Sequence, residues 1–338
     1  MLPSQDPQMP QVEALFVVCV PSTATGIYFA ASCLGAQVQG TYPLLQPHEN
    51  TPGRNISLLI QASNAIEDTV LEAADGLMLI LDGELGLDPH SISVWSKATD
   101  MSLPRHLGAV HVATGRADFD ELIAIATRVL EPDLMVRYLP IDSEDDDAIV
   151  GQYDLLTADI HDCSSGIPVI RHGDPEHVAL TADRRDDLFE ELAHAGLADD
   201  AFDTHLQGMP VSIPALADAW TNEHIVSITA LDNQVGVHIL DEWFASVPTR
   251  WIPVVTEDSY VTSAADSRSP VGVGIGTGVA RMWAGAVQSG SLEIVIGEEV
   301  RPVVVQSQTS GCLIAEDIEP EATIRLVGSA ALVSVPRF

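Results

Sequence analysis

The 338-residue chain carries 49 acidic against 15 basic side chains, a net charge of -34, which disfavours the nonspecific nucleic-acid binding that rests on Lys and Arg displacing counterions. Its length suggests two domains or three, with enough apolar residues to fill ordinary cores. Residues 1–10 hold no basic region and no apolar run approaches the eighteen residues of a membrane span, so a cytoplasmic protein with no membrane partner and a disordered stretch at 1–14 is expected.

The first predicted element is an apolar strand at residues 15–20. It runs into Pro21, Ser22, Thr23, Ala24, Thr25, Gly26, Ile27 and Tyr28, and then into a small-residue helical stretch. Strand, loop and helix in that order form the setting of a phosphate-binding loop. Such a loop needs a Lys for the β and γ phosphates and a hydroxyl for magnesium, and Ile27 and Tyr28 stand in those places.

Short apolar runs at 56–60, 77–82, 106–112, 135–141 and 224–229 continue the strand pattern, separated by helical spacing such as 66–74 and 119–130. Strands alternating with helices predict an α/β fold with a mainly parallel sheet covered on both faces. Residues 142–222 break this rhythm with an acidic run, turns containing His, Asp and Pro, and a helical segment at 184–195, and read as an insertion before the last strand. After Pro248 the pattern becomes short β-rich runs punctuated by Gly, Ser and Pro, which predicts a small antiparallel β-barrel over 250–338.

Several constellations invite a chemical reading. His172, Gly173, Asp174, Pro175, Glu176 and His177 supply two imidazoles and two carboxylates, but Gly and Pro mark a turn and no third ligand cluster has telling spacing. Gly272, Gly274, Gly276 and Gly278 resemble a dinucleotide loop, yet they lie in a β-rich region, where a glycine-containing strand or bulge is expected. Residues 142–147 lack the Gly and terminal Glu of a calcium-wrapping loop and read as a solvated acidic turn. Cys19, Cys33, Cys163 and Cys312 have no paired spacing and read as buried free thiols. Trp243, Trp251 and Trp283 read as core or interface residues.

Residues 75–105 carry a strand ending in Asp82, a turn Leu87, Asp88, Pro89, a helix with Trp95 and the pair Pro104, Arg105. This order resembles the GTPase domain of translational GTPases, especially elongation factor G and its paralogues. Arg116, Ala117, Asp118 and Phe119 are similar to that family's connection into the next helix. Tyr138, Leu139, Pro140 and Ile141 are similar to the strand leading to its inserted subdomain. Residues 224–249, with Thr229, Ala230 and Leu231, resemble its last strand, loop and closing helix, and residues 280–294 its second-domain barrel. The resemblance implies a P-loop GTPase-like domain at 15–249 with an insertion at 142–222, and a translation-factor-type barrel at 250–338.

The departures from the family fall on its nucleotide chemistry. Gln61, Ala62, Ser63 and Asn64 replace the Asp-Thr-Pro-Gly-His motif, and Val110, His111, Val112 and Ala113 replace the guanine-reading Asn-Lys-x-Asp. The stretch between Gly26 and Asn55 is too short for the family's first switch loop. The resemblance thus implies a pseudo-GTPase with no catalytic or metal-binding residue, no cofactor, and a remnant pocket at Gly26, Ile27, Tyr28, Ala113, Thr229 and Ala230. The alternative is GTP with magnesium, or another anion, held by backbone amides near Gly26 and hydrolysed slowly at most. A protein partner is expected, a ribosomal protein or a translation factor among the candidates, and a structural assembly module is the further alternative. The chain ends after the barrel, so translocase activity is not expected. The acidity fits a basic partner or adaptation to salt, and the oligomeric state stays open.

Overall fold

A computed structural model describes residues 12–22, 29, 31–34, 43–48, 54–143, 148–197, 204–205, 207, 213, 216–217, 220, 225–250, 270–282, 291–296, 298–309 and 311–327. From the N-terminus, β1 (Val12–Val20), β2 (Leu44–His48), β3 (Arg54–Ala62), α1 (Asp68–Ala73), β4 (Gly76–Asp82), α2 (Pro89–Asp100), β5 (Arg105–Val110) and α3 (Phe119–Val129) succeed one another. The insertion holds β6 (Tyr138–Asp142), β7 (Ile149–Asp154), β8 (Asp159–Asp162), β9 (Val169–His172), α4 (Pro175–Leu180) and α5 (Ala182–His194). Next come β10 (Ile228–Ala230) and α6 (Val237–Ser246). The last strands are β11 (Pro270–Gly276), β12 (Val279–Met282), β13 (Ser291–Ile296), β14 (Glu299–Pro302), β15 (Val305–Gln308), β16 (Cys312–Ala315) and β17 (Thr323–Val327).

The first sheet has the order β10-β5-β4-β1-β3-β2 and is parallel except for β2, which pairs antiparallel with β3 at one edge. β1 is apolar at nearly every position because both of its faces are covered. Leu15, Val17 and Cys19 enter one core with Trp95 of α2 and Leu122 of α3. Phe16, Val18 and Val20 enter the other with Leu240 and Phe244 of α6. Helix starts follow local chemistry. Asp88 caps α2 by accepting the Ser91 N–H at 2.8 Å, with Pro89 in the first turn, and Asp118 and Glu121 form a reciprocal capping box on α3.

The α/β expectation with a following antiparallel unit holds, and several details differ. β6 lies not in the parallel sheet but at the edge of an antiparallel sheet ordered β6-β7-β8-β9. Apolar patterning marks a strand without fixing its direction, and Pro140, which has no N–H to donate, suits an edge. Residues 142–222, read as turns and one helix, contain β7, β8 and β9, with Leu188, Phe189 and Leu192 of α5 packed on Tyr153 and Ile160. The last parallel strand is Ile228–Ala230 rather than 224–229, and β2 gave no sequence signal that was read. His172 ends β9 while Pro175 opens α4, so the turn between them is short.

The final seven strands form a sheet ordered β14-β13-β17-β11-β12-β16-β15. β14 and β15 are its two end strands, yet Val303 and Val304 alone separate them in sequence. Two residues span at most about 11 Å between flanking Cα atoms, so the sheet must curl until its edges approach. Gly274 and Gly276 mark a bulge in β11, and Gly278 turns the chain with a φ of 76°. Cys19, Cys33 and Cys312 are buried, Cys163 is half-buried and all are free thiols. Burial pushes the Cys33 and Cys312 thiols up to about 12. No helix among the described residues is long and apolar enough to cross a membrane.

Candidate functional site

The carboxyl ends of the parallel strands are where open α/β sheets place their ligands. In this chain that rim is built from the segments after β1, β3, β4, β5 and β10, and its polar groups bond chiefly to one another. After β1, Ser22 Oγ lies 2.7 Å from Ser63 Oγ, and the Ser22 N–H donates to Asp88 at 3.2 Å. Ser63 Oγ also lies 3.1 and 2.9 Å from the two Asp88 carboxylate oxygens. Partial burial opposes ionisation of Asp88. The hydrogen bonds from Ser91, Ser63 and Ser22 overcome it and hold the carboxyl below the ordinary range.

A second network joins β4, β5 and β10. Asp232, just after β10, accepts the main-chain N–H groups of His111 and Val112 at 2.7 and 2.6 Å. Burial raises its pKa, and these hydrogen bonds oppose the rise. His111 Nδ1 lies 2.9 Å from Asp82 Oδ1, and its ring stacks on Phe29 with centroids 3.6 Å apart. The backbone of His111 is left-handed at φ 54°, and the loop is folded tightly against Gly83. A Cβ on Gly83 would meet the carbonyl oxygens of His111 and Ala117 at 2.6 Å, so this close approach requires glycine. Arg116, exposed beside the loop, pairs with Glu84 at 3.3 Å.

The expected pocket residues divide into two groups. Gly26, Ile27 and Tyr28 lie outside the described residues. Ala113 is half-buried in the loop after β5, while Thr229 and Ala230 are fully buried within β10. Thr229 Oγ1 lies 2.9 Å from His106 Nε2, and the Ala230 carbonyl accepts from Gln152 Nε2 at 2.6 Å. Thr229 and Ala230 are therefore engaged inside the protein. Sequence reading missed Asp232 and Phe29 as rim residues. Asp232 did carry a signal, since it lies just past the predicted last strand, near the same end at which Asp82 closes an earlier one. Among the described residues no three His, Cys, Asp or Glu side chains converge as they would around a metal ion.

No protein-family model matches the chain. Over 96 residues it is 30% identical to ribosome-releasing factor 2, mitochondrial, of Drosophila yakuba, an alignment covering 28% of this chain and 13% of that protein. Over 138 residues it is 25% identical to the protein of the same name from Drosophila melanogaster, covering 39% of this chain and 18% of the relative. The matched segment thus spans less than a fifth of these curated relatives. Its fold is similar to the crystal structure of ttk003000868 from Thermus thermophilus, with a TM-score of 0.56 and 17% identity, covering 96% of this chain and 55% of that one.

Proposed function

We propose that the chain is a relative of the translational GTPases that has lost nucleotide chemistry and works in translation through protein contacts. The similarity to ribosome-releasing factor 2 supports the link to translation and to that superfamily. In this reading residues 15–249 are the degenerate GTPase-like domain, 250–338 the barrel, and the protein is cytoplasmic.

The observation that carries the loss of chemistry is the self-satisfied rim. The loop that should read guanine is tied down by the Asp232 carboxylate. The space beside the former phosphate loop holds Asp88, bonded to Ser22 and Ser63. Phosphoryl transfer depends on positioned cations and donors. Asp88 and Asp232 oppose a polyphosphate at short range, and the net charge of -34 opposes it at long range. These carboxylates and their hydrogen bonds support the reading that no magnesium nucleoside triphosphate is held here.

Two measurements test this reading. Calorimetry with GTP, GDP, ATP and GTP plus magnesium is expected to show nothing tighter than about millimolar, roughly 4 kcal/mol of binding. Co-sedimentation with purified ribosomes is expected to weaken as salt rises, as it does for attraction to a basic protein surface. Ribosomal RNA stripped of protein is expected to bind weakly and without a steep salt dependence. Micromolar GTP affinity overturns the loss of nucleotide binding. RNA binding equal to that of whole ribosomes overturns the protein-contact reading.

A further inference from the structure

Of the eleven large apolar side chains exposed among the described residues, five fall within one stretch of fourteen: Ile167, Val169, Ile170, Val178 and Leu180. Ile167 is 72% exposed, Ile170 61% and Leu180 76%. Single exposed apolar residues are ordinary, but a concentration of this kind marks an interaction surface. It lies on β9 and α4, the outer margin of the insertion. β9 pairs with β8 and with no other strand among the described residues, and α4 buries no residue.

The geometry restricts what can cover this margin. Val169 and Ile170 are adjacent in a strand, so they point to opposite faces of the sheet. A helix or flat surface laid on one face would leave the other residue in water. A strand added along the free edge gives both a cross-strand neighbour and pairs the outward backbone groups. β9 is short, at four residues, and carries Arg171, but it has no Pro, no Lys and no bulge to turn a partner strand away. Charge narrows the occupant further. Asp159 and Asp162 of β8 face His172 and Val169 across the ladder, Asp174 follows the strand and pairs with Arg171, and the chain carries a net charge of -34.

We propose that β9 is a docking edge for an extended segment of a partner protein, apolar at alternate positions with Lys or Arg between them. The proposal rests on the protein-contact reading only in placing that partner in the translation apparatus.

Hydrogen exchange on the full chain tests the edge directly, with a ten-residue peptide alternating Lys and Val as the probe. Saturating peptide is expected to slow exchange across residues 168–172 at least tenfold. A peptide of equal charge with Pro in place of every Val is expected to leave it unchanged. Ile170→Lys, at an exposed position, is expected to weaken Lys/Val peptide binding at least tenfold without changing the unfolding midpoint. Protection confined to another segment, or residues 168–172 already protected in the free chain, overturns the docking edge. Ribosome association that survives Ile170→Lys unchanged also overturns it and leaves the link to translation standing. Peptide protection of β9 without any ribosome association supports the edge and overturns the link.

Discussion

Asp75 and Arg281, 206 residues apart in sequence, meet at 3.0 Å between the parallel sheet and the barrel, both buried. Asp75 also accepts the Leu15 N–H at 2.9 Å and the Arg250 N–H at 2.6 Å, while Arg281 donates to the Ala73 carbonyl at 2.8 Å. One carboxylate thus holds β1, the segment following α6 and the barrel together. Ser57 Oγ and Thr309 Oγ1 at 2.6 Å, and the Thr277 N–H donating to Glu67 at 2.6 Å, extend the same junction. Ile275, Val279, Cys312 and Ile314 of the barrel share a core with Leu71 of α1. The two sheets therefore pack through a bonded and largely buried contact.

Arg281→Met is expected to destabilise the protein by about 3–5 kcal/mol, the usual cost of leaving one partner of a buried ion pair uncompensated. Urea unfolding measures it. A loss below about 1 kcal/mol would mean that solvent reaches Asp75 and that the pair does not hold the junction.

Asp232→Ala removes the acceptor for two main-chain N–H groups, at least one of them buried, and each unsatisfied donor costs about 1–3 kcal/mol. The expected result is a lower unfolding midpoint with faster hydrogen exchange at His111 and Val112. Asp232→Asn, which keeps one carbonyl oxygen, should lose less. Equal behaviour of the two variants would show that the rim is not stitched by this carboxylate.

His161 Nδ1 and His238 Nε2 lie 2.8 Å apart where β8 of the insertion meets α6. Such a contact needs one ring to donate and the other to accept, so it cannot survive double protonation. Burial holds both below the ordinary value, with Asp154 and Glu242 opposing and Arg137 assisting at His161. His238 falls from 6.5 to about 4, through burial first and then the neighbouring His161. The unfolded chain therefore binds more protons than the native one between these values. Stability is expected to be complete above about pH 6.5 and to fall steadily as pH drops towards 4. His238→Gln should flatten that slope in denaturant titrations spanning neutral to acid pH, and an unchanged slope would assign the acid sensitivity elsewhere.

In the proposed reading, Ile27→Lys with Tyr28→Thr is expected not to confer GTP binding, because Ala113 would still offer a methyl group where a carboxylate would read guanine. Asp88 also stays bonded to Ser22 and Ser63. Calorimetry on the double variant decides. Micromolar affinity would show that the phosphate loop alone controlled binding.

The parallel core was legible because its cause is local. Apolar runs buried on both faces can be seen in 15–20 and 77–82, and the caps at Asp88 and Asp118 lie beside the helices they start. The insertion was less legible. Asp162 and His172 carry the look of turns, Pro140 sits in a run read as a strand of the parallel sheet, and nothing in their spacing shows that β6 to β9 pair with one another. Of the proposed site, Ile27 and Tyr28 lie outside the described residues, while the engagement of Thr229 by His106 and of Ala230 by Gln152 depends on partners far away in sequence.

Sequence alone determined the parallel-core strands, the helices between them and the change to β-rich patterning after Pro248, since each follows from side-chain chemistry over a few neighbouring positions. Tertiary structure decided the direction of β6, the curl that brings β14 towards β15, and the partners of Asp75, Asp88 and Asp232. A carboxylate can be satisfied by any amide, hydroxyl or guanidinium that the fold brings within about 3 Å. For Asp75 that group was Arg281, from another sheet and 206 residues away, and no local pattern in the chain could have chosen it.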